Sequence, residues 1–391
     1  MAERLAATPG AAARAQAAGS GQDHLAPLVA ALRPGSAVAL AGVRGATEEL
    51  VTHGRTEPAA GERVTPDTAF EVGSVSKTFT ALLLAERVAR GELAYDLPID
   101  ALLAPRARPT LLRGDPITLL HLATHTSGLP RLPPGLLRLS LGRFTSPYQD
   151  FAEARLLRAL AGTRVRSRPG SRVHYSNYGV GLLGRLVSET GGSATGLPGV
   201  GAAGANAPGT DHAPWEVGTR YADLLAERVL RPLGMTRTGC EPDLVAPAVG
   251  HWHGRPLAPW RIPALPGAGA VRSTARDLAR YLRAHLAAAT GSSGLADRQP
   301  LGLPLARALR EVQRPLLVRP GSANHDELCL VWNLRRVGGR ELLFHTGGTR
   351  GFTPFVGFCP STGTGFAALA NSGPRLNGRF PQAAYDQLKA L

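Results

Sequence analysis

Four short apolar runs crowd the C-terminal end of the chain: ELCLVWNLRRV (327–337), RELLFHTG (340–347), GFTPFVGFCP (351–360) and GTGFAALANSG (363–373). Gly-rich turns split them, which is the pattern of successive antiparallel hairpin strands. Two further strand-like runs, SAVALAGV (36–43) and EELVTHG (48–54), stand near the opposite end. Helical periods fill the space between. Such a chain is constrained to an α/β fold of the α+β type. One antiparallel sheet is built from both chain ends and flanked by helices, with a mainly helical lobe inserted at about 100–260.

The helical periods are read at DHLAPLVAAL (23–32), SVSKTFTALLLAERVARG (74–91), YGVGLLGRLVSET (178–190), RYADLLAERVLRPLGM (220–235), STARDLARYLRAHL (273–286) and FPQAAYDQLKAL (380–391). Gly91 suits a C-terminal stop. ITLLHLATHTSGL (117–129) reads as a short helix running into a turn, and TAFEVG (68–73) as extended chain leading into a helix. Residues 1–22 are Ala-rich and read as a disordered tail. Residues 191–214, rich in Gly, Ala and Pro, read as a flexible surface insertion in a single domain of residues 23–391.

The 391 residues carry a formal charge of +15, almost all of it as arginine: the only lysines are Lys77 and Lys389. The arginines are scattered, and no zinc-finger, RNP or basic-helix pattern accompanies them, so no nucleic-acid partner is expected. Cys240, Cys329 and Cys359 lack CxxC spacing, which argues against a disulfide framework and a zinc site. His121 with His125 and His251 with His253 are read as structural or surface residues, not metal ligands. No apolar run is long enough to span a membrane. The N-terminus has no signal-peptide core, so a cytoplasmic location is expected.

Where basic side chains are otherwise arginine, a lysine inside FEVGSVSKTFT (70–80) is conspicuous. Ser74 and Lys77 lie at i and i+3 at a strand-to-helix junction, so hydroxyl and amine can meet on one face. Ser76 is expected to point away from that face. The helix N-terminus and burial both disfavour the ammonium form, and a neutral lysine can act as base for the serine. Arginine cannot lose its proton at working pH. S-x-x-K alone equally describes a capping serine before a surface lysine; its company decides. GSRVHYSNYG (170–179) supplies Tyr175, able to shuttle a proton, and Asn177, able to orient a substrate carbonyl or hold the lysine. FHTGGTRGF (344–352) supplies His345, Thr346, Gly347 and Gly348 at a strand end. Glycine there lets a substrate approach and frees an N–H as an oxyanion donor.

Taken in order, S-x-x-K, Y-S-N and H-T-G-G resemble the active-site set of the serine β-lactamase and DD-peptidase superfamily. The branch most similar is that of class C β-lactamases, R61-type carboxypeptidases, family VIII esterases and related acyltransferases. ITLLHLATHTSGLP (117–130), RPLGMTRT (231–238) and GAGAVRSTARDLARYL (267–282) add to the likeness, which covers roughly residues 23 to 390. The resemblance implies a β-lactamase/penicillin-binding-protein-like fold and a cofactor-free enzyme. It implies Ser74 as the acylated nucleophile, with Lys77 and Tyr175 sharing base and acid work. Asn177, His345, Thr346 and Gly347 would contact substrate, and the N–H groups of Ser74 and Gly348 would form the oxyanion hole. His345 stands where many β-lactamases have lysine, which weakens the positive patch for a β-lactam carboxylate.

The expected function is therefore a serine hydrolase or acyltransferase working through an acyl-enzyme on a small ester, amide or lactam. With no leader in view, an intracellular esterase, amidase or transacylase with an amine or alcohol acceptor is expected. The alternatives are a D-alanyl-D-alanine carboxypeptidase, a β-lactamase, or a non-catalytic binding protein on this fold.

Overall fold

The computed structural model describes residues 21–57, 61–112, 114–139, 146–165, 167–189, 216–241, 247–291, 301–318 and 326–391. Most of the tail and the whole 191–214 insertion read from sequence lie outside them. In chain order the helices are α1 (Gly21–Ala30), α2 (Ser76–Ala89), α3 (Leu119–Ala123), α4 (Leu136–Leu139), α5 (Glu153–Ala161), α6 (Asn177–Glu189), α7 (Glu216–Leu225), α8 (Ala275–Ala289), α9 (Leu303–Glu311) and α10 (Arg379–Ala390). The strands are β1 (Val38–Arg44), β2 (Thr47–His53), β3 (Phe70–Glu71), β4 (His251–Trp252), β5 (Arg255–Pro256), β6 (Arg272–Ser273), β7 (Leu317–Val318), β8 (Glu327–Leu328), β9 (Asn333–Val337), β10 (Arg340–Thr346), β11 (Thr353–Cys359) and β12 (Thr364–Ala370).

The main sheet has the order β2-β1-β12-β11-β10-β9-β8-β7, with antiparallel neighbours throughout. It is assembled from both chain ends, as the sequence pattern predicts. β1 and β12 meet with Val38 opposite Ala370 and Arg44 opposite Thr364. Every residue of β11 and β12 is buried, which explains why their sequences read as continuous apolar runs and not as alternation. One face, through Ala39, Ala41, Val356 and Leu369, packs into a large core with α2 and α8. The other, through Leu40, Phe355, Phe366 and Ala368, packs against α1 and α10. β2 forms an edge and is half-exposed along its length.

Residues Ser76 to Arg87 of α2 are all buried. A helix enclosed on every side is a core element, so whatever its first turn presents is held rigidly. No helix among the described residues is long and apolar enough to cross a membrane.

Three readings change. The run 327–337 is not one strand but β8 and β9, separated by a turn in which Val331 takes φ 67°. Its apolar residues leave the sheet to bury Trp332, which lies edge-on to Phe358 and His285. The stretch 68–73 is a strand only at Phe70–Glu71 before turning. α4, α5 and α9, all short, have no counterpart in the sequence reading, although α9 packs along α2.

Candidate active site

β3 pairs with β6, Glu71 opposite Arg272. Val72 N–H then donates to Val271 O (3.0 Å). Gly73 takes φ 45°, and a 3-10 turn, Gly73–Val75, leads into α2. A side chain at Gly73 would bring its Cβ within 2.7 Å of both the N and O of Gly348. Glycine is thus required both by the left-handed backbone and by the close approach of two segments.

Ser74 sits on this turn, and Lys77 Nζ donates to its Oγ at 2.9 Å and to Ala268 O at 2.7 Å. The carbonyl is held in place by α2 itself: Thr80 Oγ1 donates to Gly267 O (2.8 Å), and Ser76 Oγ accepts from Val271 N–H (3.0 Å). Lys77 is fully buried. Burial pulls its pKa below the ordinary lysine value; Tyr175 opposes this and Arg131 adds to it. A neutral amine 2.9 Å from a hydroxyl can take its proton.

The second wall is the segment before α6. His125 takes φ 58°, its carbonyl accepting from His174 N–H (2.7 Å) and its Nδ1 from Ser176 N–H (3.2 Å). Ser176 Oγ donates to Pro130 O (2.7 Å), and Asn177 N–H to Arg131 O (3.0 Å). These bonds fix the Tyr175 ring 4.5 Å from that of His125, with Lys77 Nζ and the Arg131 guanidinium each 5.2 Å from its centre. Tyr175 therefore lies beside both the Lys77 amine and the Arg131 guanidinium. Asn177 Nδ2 donates to Tyr148 Oη (3.2 Å), while its buried Oδ1 has no hydrogen-bond partner. The sequence alternative in which Asn177 holds the lysine is replaced by the Ala268 carbonyl. Tyr148 was not foreseen; its ring packs edge-on to Trp260 at 5.5 Å.

The third wall is the end of β10. His345 is buried, and its Nδ1 lies 2.7 Å from Thr346 O. A carbonyl only accepts, so Nδ1 carries the hydrogen. Thr346 is exposed at the strand end. Gly347 N–H donates to Pro354 O (3.0 Å) and Thr349 N–H to Phe352 O (3.1 Å). Among the described residues, the N–H groups of Ser74 and Gly348 donate to no backbone carbonyl. Two unengaged donors on touching segments suit a developing oxyanion. A Cβ at Gly347 would lie 2.5 Å from Val72 O and 3.1 Å from Ser74 N. Gly347→Ala is therefore expected to force the segments apart and lower turnover of an activated ester at least about 10²-fold, with stability reduced by roughly 1–3 kcal/mol. Steady-state kinetics and thermal melting check both.

The histidine pairs have other employment. His121 Nδ1 accepts from Thr118 N–H (3.2 Å) and completes a capping box at α3. His251 lies in β4 and His253 faces Arg33. Among the described residues, no three His, Cys, Asp or Glu side chains are grouped as metal ligands.

The β-lactamase family model matches residues 18–196 and 210–391. The D-alanyl-D-alanine-carboxypeptidase/endopeptidase AmpH of Escherichia coli (strain K12) is 26% identical over 342 residues, covering 86% of this chain and 80% of that protein. Esterase EstB of Burkholderia gladioli is 36% identical over 168 residues, 41% of each chain. A solved class C β-lactamase superposes with a TM-score of 0.72 at 21% identity, covering 95% of both chains. The match of both halves of the chain to one family model, on a fold shared with class C enzymes, means that the chain belongs to the β-lactamase family and is a serine hydrolase of the β-lactamase-like superfamily.

Proposed function

We propose that this hydrolase works through a covalent acyl-enzyme on Ser74, and that its substrates are small esters or amides and not chiefly β-lactams. The observation that carries the reading is the buried Lys77 amine 2.9 Å from Ser74 Oγ. Ser74 Oγ attacks the acyl carbonyl as its proton passes to Lys77. The carbonyl oxygen takes up charge between the Ser74 and Gly348 N–H groups. Collapse breaks the bond to the leaving group, which receives the proton by way of Tyr175. Water, or an amine or alcohol, then repeats the sequence in reverse and frees the acyl group.

His345 bears on the substrate. With Nδ1 turned to Thr346 O, the imidazole presents no permanent cation where a β-lactam carboxylate would be held. The reading thus favours neutral acyl donors. A D-alanyl-D-alanine carboxypeptidase is the second reading, favoured by the similarity to AmpH along 86% of the chain.

Intact-mass spectrometry after exposure to p-nitrophenyl esters, cephalosporins and a D-alanyl-D-alanine peptide, with turnover followed in parallel, tests these readings. Ester turnover is expected to exceed cephalosporin turnover by at least about tenfold, roughly 1.4 kcal/mol of transition-state discrimination. An added amine or alcohol is expected to divert part of the acyl group from water. Rapid cephalosporin hydrolysis would restore a β-lactamase assignment, and efficient release of D-alanine a carboxypeptidase one. Hydrolysis product alone at every acceptor concentration would remove the transacylase option.

A further inference from the structure

Beneath the Ser74 turn lies a polar group that the acyl-enzyme chemistry does not use. Glu71, on β3 and three residues before Ser74, is only 6% exposed. Its Oε2 accepts from Thr349 Oγ1 at 2.7 Å. Its Oε1 accepts from Trp260 N–H at 2.7 Å and from Arg272 Nη2 at 3.4 Å. Arg272 in turn donates to Trp260 O (2.9 Å) and Cys240 O (3.3 Å). Thr349 directly follows Gly348, and its hydroxyl also accepts from Gly351 N–H (3.3 Å). Trp260 packs against Tyr148, the partner of Asn177.

A single buried carboxylate thus belongs to one wall, bonds directly to a second and reaches the third through Trp260 and Tyr148. It sits on the strand that delivers Ser74, one oxygen holds the turn that carries Gly348, and the other holds the loop behind Tyr148 and Asn177. The distance between the N–H groups of Ser74 and Gly348 decides how well an oxyanion fits, and among the described residues no backbone hydrogen bond joins the two segments to set it. We propose that Glu71 is a positioning residue for the oxyanion hole, acting through Thr349 on Gly348 and through Trp260 on the Asn177 wall. The proposal rests on the assignment of Ser74 as nucleophile.

Buried hydrogen-bonded carboxylates are ordinarily structural, so the test must read the transition state. Thr349→Val keeps the shape of the side chain and removes the hydroxyl; Thr349→Ser keeps the hydroxyl. With a p-nitrophenyl ester, Thr349→Val is expected to lower kcat about tenfold with KM within about twofold, the mark of an interaction made mainly in the transition state. Phosphonylation of Ser74 by a fluorophosphonate should slow in parallel, and Thr349→Ser should recover most of both rates. Glu71→Gln reaches the same arm from its other end. It retains an acceptor for Trp260 N–H but replaces the acceptor facing Thr349 with a donor, and is expected to slow phosphonylation likewise. Thermal melting confirms that each variant is folded. Wild-type rates in Thr349→Val and Glu71→Gln, or equal losses in Thr349→Val and Thr349→Ser, would overturn the proposal. A wild-type enzyme that fluorophosphonate does not label at Ser74 would instead overturn the nucleophile assignment on which it rests.

Discussion

Ser74→Ala is expected to abolish the acyl adduct and to lower ester turnover at least about 10³-fold; serine enzymes stripped of the nucleophile lose up to about 10⁶-fold. The fold should survive. Ser74 is half-buried on a turn whose shape is set by Gly73 and by the bond from Val72 to Val271. Lys77 keeps its bond to Ala268 O when the hydroxyl is gone. The stability change is therefore expected to stay within about 1 kcal/mol, the net worth of one ordinary hydrogen bond. Ser76→Ala is the instructive contrast. The helical spacing is expected to turn Ser76 away from the amine, and Ser76 Oγ accepts from the buried N–H of Val271 at 3.0 Å. Its loss strands a donor beside the segment that holds Ala268, costing roughly 1–3 kcal/mol, while the nucleophile remains. Intact mass after ester exposure separates the two: no adduct for Ser74→Ala, an adduct on a less stable protein for Ser76→Ala. An adduct on the Ser74→Ala protein would move the nucleophile elsewhere.

What the sequence made legible follows from which interactions are local. Ser74 and Lys77 are one helical turn apart, so their contact was contained in their spacing. The sheet was legible because β10, β11 and β12 are successive hairpin strands. Opaque were the contacts made across the fold. The acceptor for Lys77 is a backbone carbonyl 191 residues away, and a carbonyl leaves no mark in a side-chain alphabet. Glu71 and Arg272 meet across 201 residues, and each looks in sequence like any surface charge of a chain rich in arginine. Tyr148 reaches Asn177 only because β3, the Trp260 loop and α6 converge. Trp332 misled for the opposite reason. Its apolar neighbours have a strand-like composition, but they are apolar because they plug the core under α8.

Lys77→Arg is expected to be as damaging as Lys77→Ala, each lowering turnover by roughly 10³-fold, within the range assigned to a positioned general base. Arginine keeps the charge and approximate reach. What it loses is the ability to release a proton at working pH. The site makes that loss decisive. Lys77 is fully buried, and burial lowers its pKa, with Arg131 reinforcing the effect and Tyr175 opposing it. Folding thus shifts the amine toward its neutral form, and the rising limb of the kcat/KM profile should lie below the ordinary lysine value of 10.5. Activity is lost as pH falls through the lowered value. The same shift has a stability consequence. Between the lowered value and 10.5 the unfolded chain binds the proton that the native site has released. Unfolding free energy should therefore rise with pH in that window, and below it the site is loaded with an unfavourable buried charge. Arginine carries that charge at every accessible pH. Lys77→Arg is accordingly expected to melt below Lys77→Ala as well as to be inactive, and neither variant should show the lysine-dependent limb of the pH–rate profile. An arginine variant with most of the wild-type rate would mean that position 77 serves only as a fixed positive charge, and Tyr175 alone would then have to take the proton of Ser74.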